Sequence, residues 1–148
     1  MRGTMPGERT WVLDRSSLEH IGPISETVRS LVEPKLGAEG AGDVELALVE
    51  AVTNVVRHGY GSDGGPIRIE VSSDVHSVLV RIFDWGRPIP GETLASAGLS
   101  RFDFDPTNLL EIPEGGMGLS LIASVMDEVT YRSEEGQNVL TLLRRARA

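Results

Sequence analysis

The chain has 148 residues, with 14 Lys and Arg against 22 Asp and Glu for a net charge of −8, and it contains no cysteine. Without cysteine there are no disulfides and no thiolate metal sites, and the acidity argues against general nucleic-acid binding, because phosphate contact needs a cationic surface. Hydrophobic residues make up 40% of the chain, yet no apolar run approaches the ~18 residues that a membrane helix needs, so neither nucleic acid nor membrane is an expected partner.

Residues 1–8 lack the apolar core of a secretory signal and read as a disordered lead, leaving 9–148 as one domain of cytoplasmic type. The segment RTWVLD, 9–14, alternates and predicts a first strand. Ser16 or Ser17 is placed to cap a helix running to about Val32, with Leu18, Ile21, Ile24, Val28, Leu31 and Val32 inward and an interruption at Gly22-Pro23. Residues 33–42 read as a loop. Asp43 stands where a cap would open a second helix, which runs to His58 and stops at Gly59. Residues 67–73 and 77–84 alternate strictly and predict an antiparallel hairpin. Residues 85–115 read as long and irregular, 117–129 as a helix, and 129–134 with 138–145 as a closing hairpin around Glu135-Gly136. This order predicts an α/β two-layer sandwich, a mostly antiparallel mixed sheet with helices on one face.

Three motifs stand out. On the second helix Glu50, Asn54 and His58 recur every four residues and share one stripe opposite the valines. Read alone, this is the solvated face of an amphipathic helix, although Ala47 and Ala51 beside it are small enough to admit a ligand. In RIFDWGRPIP, 81–90, Asp84 ends an apolar strand and Gly86 follows, which suits either a turn or a carboxylate accepting from a ligand's amino group. In EGGMGLSLI, 114–122, glycines precede a helix whose N-terminal N–H groups suit an anion, without the Lys of a Walker loop.

Together, Glu-x-x-x-Asn-x-x-x-His on a helix, Asp-x-Gly after a strand and Gly-x-Gly opening a later helix resemble the GHKL (Bergerat-type) ATP-binding fold over residues 10–144. More narrowly, ELALVEAVTNVVRHGY and GGMGLSLIASVMDEVTY resemble the anti-sigma-factor serine kinases of bacterial partner-switching systems. The length matches their small single-domain members and leaves no room for dimerisation helices or a receiver domain.

The resemblance implies ATP and Mg²⁺ as cofactors, with Glu50 as general base and Asn54 as magnesium ligand. It implies that Asp84 takes the adenine amino group with Gly86 letting the ring approach, that Gly116, Met117 and Gly118 cradle phosphates, and that 87–115 form a lid. The implied partners are a small anti-sigma-factor antagonist domain, phosphorylated on Ser or Thr, and a sequestered sigma factor or similar regulator, with a homodimer as the implied assembly. The alternative is a non-catalytic, nucleotide-dependent binding module of the same fold. Two departures stand against the family pattern. The second motif reads Asp-Trp-Gly-Arg-Pro, and no basic residue precedes Gly116-Met117-Gly118, which leaves Arg87, Arg101 or a partner's cation for the γ-phosphate. His58 fits a structural role at the helix end better than a ligand role, and the family Thr of the final hairpin has Gln137 and Asn138 in its place.

Overall fold

The computed structural model describes residues 8–13, 18–60, 64–97 and 116–147. The disordered lead, the Ser16 or Ser17 cap and the later part of the lid, 98–115, fall outside the described residues.

Five strands form a single sheet: β1 (Arg9–Leu13), β2 (Ile67–Ser73), β3 (Ser77–Asp84), β4 (Glu128–Glu134) and β5 (Gln137–Arg145), in the order β1-β2-β3-β5-β4. All four pairings among the described residues are antiparallel, in keeping with the mostly antiparallel sheet expected. β2–β3 and β4–β5 are hairpins between sequence neighbours, whereas β3 and β5 are neighbours in the sheet but not in sequence. The period-two pattern sets the faces. Ile67, Ile69 and Val71 of β2, Val78, Val80 and Ile82 of β3, and Leu140 and Leu142 of β5 are buried toward the helices. On the opposite face the Arg68 guanidinium lies 4.1 Å over the Phe83 ring and covers it.

Against the buried face lie α1 (Leu18–Asn54), α2 (Gly91–Ser96) and α3 (Gly116–Val125). α1 corrects the sequence reading most. The expected loop at 33–42 is helical, broken only at Gly37, whose φ of 78° and ψ of 175° no other residue type adopts cheaply. Asp43 is therefore no cap. It sits inside the helix and accepts from Arg144 Nη2 at 2.9 Å. The chain also stays helical through Gly22-Pro23, where Ser25 Oγ donates to Gly22 O at 2.8 Å. Beyond the break, Ala41, Val44, Ala47, Leu48, Ala51 and Val52 form a buried stripe at three- and four-residue spacing. Ala47 and Ala51 thus serve core packing and make no room for a ligand.

α2 falls within the segment expected to be irregular, and buries Thr93 and Leu94. α3 inserts Leu119 and Ile122 into the core, a burial contributing roughly 1.5–3 kcal/mol per side chain. It ends earlier than expected, because Asp127 N–H donates to Leu143 O at 2.8 Å and the Asp127 carboxylate accepts from Arg145 N–H at 2.6 Å, which draws the chain into β4.

Candidate functional site

The first motif ends in a change of helix type. After Asn54 the chain widens into a π-helical turn, Val55–Gly59, closed by Tyr60 N–H donating to Val55 O, five residues back, at 3.1 Å. Such turns occur frequently at functional positions. His58 lies in this turn, exposed, on the lining of a cavity that Asn54 also lines.

The second motif locks onto this turn. Arg87 N–H donates to Gly59 O at 2.6 Å. A side chain on Gly86 would stand 2.4 Å from Gly59 O, so the glycine is required by the close approach of two backbone segments. Its empty space faces Gly59 and Tyr60 and is not open for a ring. Tyr60 clamps the same corner, with its hydroxyl donating to Pro66 O at 2.5 Å and accepting from Trp85 N–H at 2.9 Å.

The third motif meets the first. A Cβ on Gly118 would stand 3.0 Å from Glu50 Oε2 and 3.3 Å from both amide atoms of Asn54. A glycine here lets the start of α3 settle against the polar stripe of α1. Asn54 Nδ2 is buried beside it with no hydrogen-bond partner, an arrangement that protein interiors rarely leave unexplained. Gly116 and Met117 form the first residues of the same helix.

Between these motifs lies a cavity of about 440 Å³, whose lining includes Asn54, Gly59, Asp84, Arg87, Leu119, Tyr131 and Leu140. Asp84 is 6% exposed. Its Oδ1 accepts from Gly86 N–H at 2.9 Å and from Asn138 Nδ2 at 2.8 Å. Burial pushes its carboxyl above the usual carboxylate range, while the bonds from Asn138 and Gly86 pull it partly back. Tyr131 accepts from Ile89 N–H at 2.9 Å, and burial pushes its phenol up to about 12. Arg57, His58 and Arg87 are exposed cationic or titratable groups on the lining.

The structure thus brings Glu50, Asn54 and Gly118 into one cluster and sets Asp84 and Asn54 on one cavity. Sequence reasoning left Asn138 without a role, and it passed over Tyr60 and Tyr131. The available signal was the alternation of β5, where Asn138 occupies the same inward stripe as Leu140 and Leu142. A polar residue on a buried stripe must find a partner, and this one finds the floor of the cavity.

Oxygen donors on one side of an apolar-walled cavity, a buried carboxylate on its floor and a glycine-led helix at its edge define a class. The chain belongs to the histidine kinase-like ATPase domain family, whose description matches residues 15–144. Among named relatives, it is 33% identical over 98 residues to the serine-protein kinase RsbW of Bacillus mycoides (strain KBAB4), covering 66% of this chain and 60% of that protein. It is 37% identical over 99 residues to the serine-protein kinase RsbW of Staphylococcus aureus (strain JH9), covering 66% of this chain and 61% of that protein. Less than two thirds of either relative's length is therefore matched.

Two solved structures share the fold. The RsbU and RsbW domains of Rv1364c from Mycobacterium tuberculosis align with a TM-score of 0.59 at 16% identity, over 95% of this chain and 33% of that one. The catalytic domain of histidine kinase ThkA aligns with a TM-score of 0.51 at 18% identity, over 93% of this chain and 97% of that one. No helix among the described residues is long and apolar enough to cross a membrane.

Proposed function

We propose that this protein is a partner-switching serine kinase of the cytoplasm. It binds ATP with magnesium in the cavity, phosphorylates a Ser or Thr on a small anti-sigma-factor antagonist domain, and sequesters a sigma factor or a similar regulator. One observation carries the reading: Glu50 and Asn54, a turn apart, meet Gly118 at the edge of a cavity whose floor is the buried Asp84. The names of the relatives support it.

Each residue has a task in this reading. Asp84 receives the exocyclic amino group of adenine, and Ile82, Leu119 and Leu140 give the ring apolar walls. Gly116, Met117 and Gly118 present N–H groups to phosphate at the start of α3. The residues present fit magnesium. Among the described residues no cluster of three His, Asp or Glu side chains forms an all-protein cage, and the ion ordinarily takes one or two protein oxygens beside phosphate oxygens and water. The Asn54 side-chain oxygen, on the cavity lining, would be the group to hold it; when bound, the ion neutralises phosphate charge. Glu50 accepts the proton of the attacking hydroxyl as its oxygen bonds to the γ-phosphorus and ADP leaves.

The test is transfer of labelled phosphate from ATP to a candidate antagonist domain. Glu50→Gln is expected to keep magnesium-ATP binding and lose roughly 10²–10⁴-fold of transfer, the usual contribution of a general base. Asn54→Ala is expected to lose magnesium-dependent affinity as well. If both variants bind and turn over like wild type, the stripe is only a wet face. If wild type transfers no phosphate while ATP still governs partner binding, the protein is the nucleotide-dependent binding module instead.

A further inference from the structure

Behind Asp84, beneath the cavity floor, lies a residue that the proposed chemistry does not use, Asn138. In register, Asp84 of β3 stands directly opposite Asn138 of β5, which stands directly opposite Ser133 of β4. The three side chains form one chain of hydrogen bonds. Ser133 Oγ donates to Asn138 Oδ1 at 2.7 Å, and Asn138 Nδ2 donates to Asp84 Oδ1 at 2.8 Å and to Gly86 O at 3.0 Å. Asn138 is 1% exposed, and both amide protons and the amide oxygen are engaged, so its orientation is determined.

Two donors, Asn138 Nδ2 and Gly86 N–H, converge on the same oxygen of Asp84. This has two consequences. Both bonds favour the carboxylate over the carboxylic acid. Both also occupy Oδ1, which leaves Oδ2 as the oxygen free to face a ligand. A carboxylate offers only acceptors, whereas a protonated carboxyl also offers a donor. An acceptor pairs with an amino group and repels a keto oxygen.

We infer that Asn138 determines base specificity: by donating to Asp84 Oδ1 it keeps Asp84 a pure acceptor toward the cavity, selecting a 6-amino purine over a 6-keto purine. This rests on the nucleotide reading above and deepens it. The other titratable groups on the cavity do not supply the same effect. Burial raises the phenols of Tyr60 and Tyr131, so both stay neutral, and Arg57, His58 and Arg87 are exposed to solvent. Asn138 acts through Asp84, and so is a positioning residue.

Calorimetric titration of the full chain with magnesium-ATP and magnesium-ITP tests this. The two nucleotides differ at the base edge: ITP carries a keto oxygen where ATP carries the amino group. Wild type is expected to prefer ATP. Asn138→Leu keeps the volume and removes the donor, and is expected to cut the ATP-to-ITP affinity ratio by roughly tenfold, mainly by weakening ATP. Asn138→Ser, whose hydroxyl is too short to reach Oδ1, is expected to shift the ratio in the same direction, and it provides the readout if the Leu variant does not fold. A residue needed only for structure would weaken both nucleotides in parallel, so an unchanged ratio in a folded variant overturns the role of Asn138. A wild-type protein that binds neither nucleotide overturns the nucleotide assignment, and this inference with it.

Discussion

The inward stripe of β5 begins and ends with a buried polar residue, Asn138 at one end and Arg144 at the other, with Leu140 and Leu142 between them. The two ends handle polarity in opposite ways. At the Arg144 end the charge is neutralised by the protein: Arg144 Nη2 meets Asp43 at 2.9 Å and Nη1 lies 3.6 Å from Asp127. These contacts bind α1, the turn after α3 and the end of β5 together. At the Asn138 end the buried charge is the carboxylate of Asp84, and only neutral donors meet it. The first arrangement takes both of its carboxylate partners from the fold, with Arg144 Nε alone left unpaired. The second is open, with one carboxylate oxygen facing a cavity. A buried charge that the fold neutralises holds the fold together; one that it only solvates is a place for a ligand.

Three expectations test this contrast. The largest concerns Arg144→Ala. Removing the cation leaves two carboxylates without their shared partner and a void, and the stability loss is expected to be about 3 kcal/mol in denaturant unfolding, at the lower end for a broken buried pair. The carboxylates keep about a quarter of their surface in water, which moderates the loss. An ATP-to-ITP ratio that collapsed in this variant would show that the two ends are coupled.

Next comes Asp84→Asn. Affinity for ATP is expected to fall by roughly 1–3 kcal/mol through loss of a buried acceptor, with little loss of stability, because the wild-type carboxylate is held at a desolvation cost. The pH dependence carries the same sign. Since burial raises the folded-state pKa of Asp84, its contribution to stability is fully present below the unfolded pKa and is lost as pH rises through the folded value. ATP affinity runs the other way, weakening as acidification protonates the acceptor, and this slope is expected to vanish in Asp84→Asn. Unchanged affinity in the folded variant would remove Asp84 from the base site.

The smallest effect belongs to Arg132→Ala. Arg132 pairs with Glu134 at 2.8 Å, but both side chains are largely exposed. Solvent screening limits such a pair to within about 0.5 kcal/mol, and neither unfolding nor ligand binding is expected to change measurably. A larger effect would mean that exposure does not separate structural charges from idle ones in this molecule.

Much of the molecule follows from local pattern. Strict alternation places β2 and β3 at the residues where they are found, because a strand buried on one face needs period two wherever it lies. The helical stripe of Glu50 and Asn54 and the glycines that open α3 are equally legible, since spacing along one element sets which residues share its face. What alternation and spacing do not carry is the distance between elements. Asp43 looks like a helix cap until Arg144, 101 positions later, arrives beside it. Gly37 breaks a helix where a whole loop was expected, because packing on the sheet holds the flanking turns helical despite a weak local pattern. Gly86 looks like room for a ligand and is instead room for Gly59. Asn138 becomes the partner of Asp84 only through the β3–β5 register across 54 residues. Sequence patterning determined which elements form and which faces they bury, because those are short-range consequences of side-chain period. The tertiary structure decided which polar groups meet, because a hydrogen bond depends on ångström-scale register between segments that the chain order leaves far apart.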